Sequence, residues 1–210
     1  MSLKRSTMAV LMALIGSAAS AFPQTNEVSV MVGRTFISNQ AIQGATFFNS
    51  DVRFGNGLTF EVNPSHRVFG GDLSLTPVRL ELPIVVNWDE DLSTGANLIP
   101  SHFRSYFIAP AARLNLFAGS AVSPWVSFGG GFGHFSESST LLYGGVNPGK
   151  TGTTTGVVQG GVGLDVKIKG RYSMRGEARD FWSGVPQLNV NTGMSRQHNI
   201  FVAGGIVVHF

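Results

Sequence analysis

From residue 78 to residue 88 every even position is apolar: Val78, Leu80, Leu82, Ile84, Val86 and Trp88. Arg79, Glu81, Pro83 and Asn87 stand between them. A period of two describes an extended strand with two unlike faces. The same parity recurs along most of the chain. In 52–62, Phe54, Leu58, Phe60 and Val62 alternate with Arg53, Gly55, Gly57, Thr59 and Glu61. In 171–182, Tyr172, Met174, Ala178 and Trp182 alternate with Arg171, Ser173, Arg175, Glu177 and Arg179. Segments 27–37, 103–116, 122–137, 155–168 and the closing run to Phe210 follow the same rule, with Phe107 breaking the polarity but not the pattern. Arg34 and Asp180 fall on the apolar phase, which calls for a bulge at a neighbouring glycine or a place beyond the hydrocarbon layer.

Eight such segments predict an all-β fold, and the connections between them decide which one. They alternate in length: long at 38–50, 89–102, 138–152 and 183–197, short at 63–66, 117–121 and 169–170. Charged residues make up 13% of the chain, against roughly 25% in soluble domains, so one strand face meets something other than water. Leu114–Gly133, a long uncharged stretch of the mature part, is broken by Asn115, Pro124 and Gly129-Gly130-Gly131, so it does not read as a membrane helix. A closed barrel is the remaining way for a chain to cross a bilayer with its backbone groups satisfied. The sequence therefore predicts an eight-stranded antiparallel up-and-down transmembrane β-barrel, long loops at one end and tight turns at the other. A soluble sandwich or lipocalin-like barrel is the competing fold, with the apolar face turned inward.

The start of the chain reads as a secretory signal peptide: Lys4 and Arg5, an apolar run from Met8 to Ile15, then small residues with Ala19 and Ala21 at the cleavage positions. Cleavage after Ala21 assigns residues 1–21 to the signal peptide and 22–210 to one barrel domain. Without Lys4 and Arg5, 13 basic residues face 12 acidic ones, so no nucleic-acid footprint survives. Cysteine is absent, which excludes disulfides and thiolate metal sites, and His66, His102, His198 and His209 show no ligand spacing. No metal and no cofactor is expected.

The ending Ile206-Val207-Val208-His209-Phe210 resembles the C-terminal signal of bacterial outer-membrane proteins. That resemblance implies recognition of Ile206, Val208 and Phe210 by the barrel-assembly machinery. The whole length resembles the small eight-stranded outer-membrane barrels of the OmpA and OmpX type. It implies a Gram-negative outer membrane, with lipid and lipopolysaccharide around the barrel and a possible extracellular ligand at the loops.

The polar phase gives the candidate lumen: Arg53, Glu61, Arg79, Glu81, Arg113, Asp165, Lys167, Arg171, Arg175, Glu177 and Arg179. Buried charges must be paired, so one reading is a salt-bridge network that closes the interior. The other is a narrow anion-preferring channel, since seven bases exceed four acids and inward Gly129, Gly131, Gly133, Gly161 and Gly163 would leave space. A third reading starts from His134-Phe135-Ser136 and Asn147-Pro148-Gly149, which resemble the motif of lipid A deacylases. Lys150 and Thr151 follow where that family carries an acid, and Glu137 follows the serine. Trp88, Trp125, Trp182, Tyr106 and Tyr172 are expected in the interfacial aromatic girdles. Gly129–Gly133 lies within a strand pattern, Pro64, Pro100 and Pro148 fit turns or loops, and Pro83 and Pro110 oppose regular pairing where they stand. The function this supports is a non-enzymatic envelope protein, structural or binding through its surface loops.

Overall fold

A computed structural model describes residues 25–46, 50–70 and 76–210; the signal peptide expected at 1–21 lies outside the described residues. Among the described residues twelve strands follow one another: β1 (Asn26–Ile37), β2 (Gln40–Ala41), β3 (Asp51–Phe54), β4 (Leu58–Phe69), β5 (Val78–Glu81), β6 (Ile84–Ser93), β7 (His102–Ile108), β8 (Ala111–Asn115), β9 (Val122–Glu137), β10 (Gly152–Lys169), β11 (Tyr172–Ser183) and β12 (Gln197–His209). They build a closed antiparallel barrel of eight wall positions. β1 and β4 are the first two, β5 with β6 the third, β7 with β8 the fourth, and β9, β10, β11 and β12 the rest. Closure comes from β12 on β1, where Ile206 faces Val30 and Val208 faces Val28. The chain end locks this seam: Asn26 and Phe210 exchange backbone hydrogen bonds of 3.0 and 2.9 Å.

Two wall positions are split, and proline is the reason. β5 stops before Leu82-Pro83 and β6 resumes after it; β7 stops before Ala109-Pro110 and β8 resumes after it. A proline donates no ladder hydrogen bond. The breaks lie side by side, so the missing donors share one level, and Ala109 N–H reaches the Pro83 carbonyl at 3.4 Å. Pro64 is not in a turn as expected. It sits inside β4 opposite Val28, and the strand runs through 63–66 to Phe69 before the third wall position begins at Val78.

The parity holds around the wall. Val30, Phe60, Leu80, Phe128, Val162, Met174 and Ile206 face outward and are exposed, and their even-numbered neighbours on the same face are exposed or half-buried. About ten residues at ~3.3 Å each, tilted ~40°, give an apolar band near 25 Å, the height of a barrel's lipid-facing belt. Trp88, Tyr106, Trp182 and Tyr172 lie on this outer face. Trp125 does not. At 1% exposure it is buried in the lumen, because its odd position puts it on the face of Ser123 and Ser127. Arg34 and Asp180 keep their outward phase without a bulge. Arg34 donates to the Asn56 carbonyl, and Asp180 accepts from His198 at 2.5 Å.

One bulge does invert the parity. The register of β6 shifts between Asn87 and Glu90, after which even-numbered Glu90 and Leu92 point inward. β3 pairs with this inverted part, so Val52 turns in and Arg53 turns out. Single-tryptophan variants in vesicles with brominated acyl chains test the placement: fluorescence from Trp88 and Trp182 is quenched, and that from Trp125 is not.

Candidate functional site

Of the eleven charged residues expected in the lumen, Glu61, Arg79, Glu81, Arg113, Asp165, Arg175, Glu177 and Arg179 are buried there. Three lie elsewhere. Arg53 is exposed on β3 beyond the inverted parity. Lys167 sits at a register shift near the end of β10, and Arg171 lies in the tight turn after Gly170; both are exposed at the turn end. The sequence reading missed Glu27, which is 2% exposed and central. Its odd position beside Ser29 was the available signal.

Glu27 accepts from Arg113 and from Arg175 (2.8 Å), and lies 3.4 Å from Arg79 and 3.3 Å from His209 Nδ1. Arg175 also donates to Asp165 at 2.6 Å. Arg113 leads to Glu81 at 3.5 Å, and Glu81 leads to Arg179 at 2.7 Å. Arg179 meets Glu177 at 2.8 Å and Glu61 at 3.4 Å. In the middle stands Trp125, with the guanidinium carbons of Arg179, Arg175 and Arg113 at 5.0, 5.3 and 5.5 Å from its ring centre. Its indole N–H donates to Asp165 at 3.2 Å. Stacking on an aromatic face attracts a guanidinium and leaves its N–H fork free for carboxylates. Every one of the eight wall positions contributes a group to this single cluster.

The bookkeeping of charge changes accordingly. Four arginines (79, 113, 175, 179) face five acids (27, 61, 81, 165, 177), so the predicted excess of arginine is replaced by an excess of one carboxyl group. The glycines do not hold a path open either. A Cβ on Gly163 would lie 2.3 Å from the Trp125 ring, and one on Gly133 would lie 2.9 Å from the Phe107 ring. Glycine is there because a large ring from the next strand fills its place.

Above the charges a phenylalanine core runs through the lumen, among buried polar groups such as Thr59, Asn87, Glu90 and Asn199. Phe54, Phe103, Phe135, Phe107 and Phe181 form a chain of ring contacts, with centroids 6.0, 5.9, 6.0 and 4.8 Å apart. The last pair stacks across the interior, from the fourth wall position to the seventh. The loops then close the mouth. Ile99 and Leu188 are buried against this core, Asn189 Nδ2 donates to the Leu98 carbonyl (2.9 Å) and to Asn147 (2.7 Å), and Gln187 N–H donates to buried Glu137 (2.9 Å). Gly57 N–H donates to buried Glu90 at 3.1 Å. At the turn end a cavity of about 420 Å³, lined by Glu27, Arg67, Arg79, Asp165, Lys167 and His209 among others, ends blind against the ion cluster.

The His134 and Ser136 pair lies on the outer face near the loop end. His134 Nδ1 is hydrogen-bonded to Thr154 at 2.8 Å rather than to Ser136. Asn147-Pro148-Gly149 is a turn, closed by Gly149 N–H on Asn147 Oδ1 at 2.9 Å. No group of three or more metal-ligating side chains occurs among the described residues.

No protein-family model and no curated protein matches the chain. Solved structures do. Neisserial surface protein A superposes with a TM-score of 0.54 at 14% identity, covering 88% of this chain and 97% of that one. The outer membrane protein OprG from Pseudomonas aeruginosa gives a TM-score of 0.51 at 10% identity, covering 89% and 96%. The fold is that of the small outer-membrane β-barrels. At these identities the likeness concerns the barrel itself.

Arg179 tests the ion cluster most sharply, because removing it leaves Glu61, Glu81 and Glu177 buried together. Arg179→Met lowers unfolding free energy by about 3–5 kcal/mol in a urea titration of the refolded protein, and adding Glu61→Gln and Glu177→Gln restores part of the loss.

Proposed function

We propose that this chain is a Gram-negative outer-membrane protein, non-enzymatic and non-conducting, that presents a folded loop cap to the cell exterior. Export through residues 1–21 and insertion by the barrel-assembly machinery, reading Ile206, Val208 and Phe210 on the closing strand, belong to this reading. The observation that carries it is the filled lumen: an ion cluster around Trp125 below, a phenylalanine core above, and cross-bonded loops over both. Such an interior suits a rigid pedestal better than a conduit.

The loop cap is where specificity would reside. Tyr143 N–H is held by Asn97, and the Tyr143 hydroxyl donates to the Thr94 carbonyl, so the ring is fixed although it is 63% exposed. Leu98 and Val146 are exposed on the same connected loops. Fixed, exposed apolar side chains at a loop tip suit contact with another molecule.

The channel and deacylase readings each lose their main argument, one with the arginine excess and the other with the His134 hydrogen bond to Thr154. Planar-bilayer recordings test the proposal. The refolded protein gives no discrete conductance steps; reproducible steps, with or without anion preference, would contradict it.

A further inference from the structure

Two matched pairs stand at the loop-end edge of the outer apolar face. The Arg104 guanidinium lies 5.1 Å from the ring centre of Trp88, and that of Arg196 lies 4.9 Å from Trp182. Trp88 and Arg104 occupy the third and fourth wall positions, Trp182 and Arg196 the seventh and the lead into the eighth. Four positions apart in a ring of eight, the pairs lie on opposite sides of the barrel.

Each tryptophan is outward and about half exposed, and each arginine is exposed. Neither arginine is in an ion pair among the described residues; Arg196 has a 3.5 Å contact with the Gly156 carbonyl. The acids nearby do not neutralise them. Asp180 is taken by His198, whose ring stacks on Trp182, and Asp89 makes no ion pair with Arg104. A cation at this height has apolar chains below it and headgroups beside it. Indole is an amphipathic anchor for that boundary, and stacking on it orients the guanidinium without using its N–H donors. A planar fork of N–H groups matches a phosphate, bidentately, better than it matches a hydroxyl or a carbonyl.

The geometry points to Arg104 on Trp88 and Arg196 on Trp182 as two anchors for the phosphate groups of outer-leaflet lipids. This rests on the membrane location proposed above. Each anchor takes one phosphorylated headgroup, so the barrel is held at a set height and favours a phosphate-bearing outer leaflet.

The full mature chain, reconstituted in phosphatidylcholine vesicles with lipid A carrying both phosphates or with the same lipid dephosphorylated, tests this. Native mass spectrometry after extraction counts the lipid retained. The phosphorylated form is retained, one molecule per arginine, and the dephosphorylated form no better than phosphatidylcholine. R104Q and R196Q each weaken retention about tenfold at one site, and the lysine variants fall between. Equal retention of the two lipid forms by the unaltered chain overturns the proposal without relying on any variant. Retention unchanged in the R104Q/R196Q chain overturns it as well, by moving the site to the loops or to acyl-chain contact. Failure to insert into either vesicle contradicts the membrane location itself, whereas insertion with equal retention contradicts the anchors alone.

Discussion

Eight strands enclose an interior just wide enough for side chains, and the rest of this structure follows from that limit. Every inward residue has to be satisfied by another inward residue. Trp125 is the largest of them, and three arginines gather on its faces while Asp165 takes its N–H. The neighbouring strand gives way at Gly163, where any side chain would collide with the ring. Once Trp125 is placed, the positions of Arg113, Arg175 and Arg179 are set, and the carboxylates that pair with them are set in turn.

Burying nine ionisable groups is an expensive way to fill a tube, since desolvation offsets much of what pairing returns. What the arrangement offers is register. Arg179 on β11 reaches Glu61 on β4, Glu81 on β5 and Glu177 on its own strand, and Glu27 on β1 reaches Arg79 on β5, Arg113 on β8 and Arg175 on β11. A one-residue slip of any contributing strand would send its charge to the lipid face and leave its partners unpaired. The phenylalanine core above has no such selectivity. It removes water from the loop end, and the loops pack onto it through Ile99 and Leu188. Charge fixes the alignment of the strands, and apolar packing seals the mouth.

Much of the wall was legible in the sequence because period and parity are backbone properties that side chains report directly. The outer face, the closing strand and most of the lumenal charges follow from counting by two. Trp125, Phe103, Phe107, Phe135 and Phe181 were as legible by parity, but their residue types pointed elsewhere: tryptophan suggested an interfacial girdle, and Phe107 looked like an irregularity. Glu27 was legible by parity and by charge. Arg53 was placed on the wrong face for a different reason. The bulge at Asn87–Glu90 inverts the phase of β6, β3 pairs with the inverted part, and no local pattern near Arg53 encodes a shift made so much later in the chain. The turn assigned to Pro64 failed similarly, since proline is also tolerated where a neighbouring strand needs no donor from it.

The central claim is that the interior is sealed at Trp125, with the turn-end cavity stopping at the ion cluster and the phenylalanine core closing the other side. Hydrogen exchange at the Trp125 indole N–H, followed by NMR on the protein in lipid nanodiscs, measures this at the decisive atom. The account predicts exchange as slow as that of the backbone amides in the surrounding strands. Exchange as fast as at the exposed indoles of Trp88 and Trp182 would mean that water reaches the cluster, and the sealed interior would be contradicted.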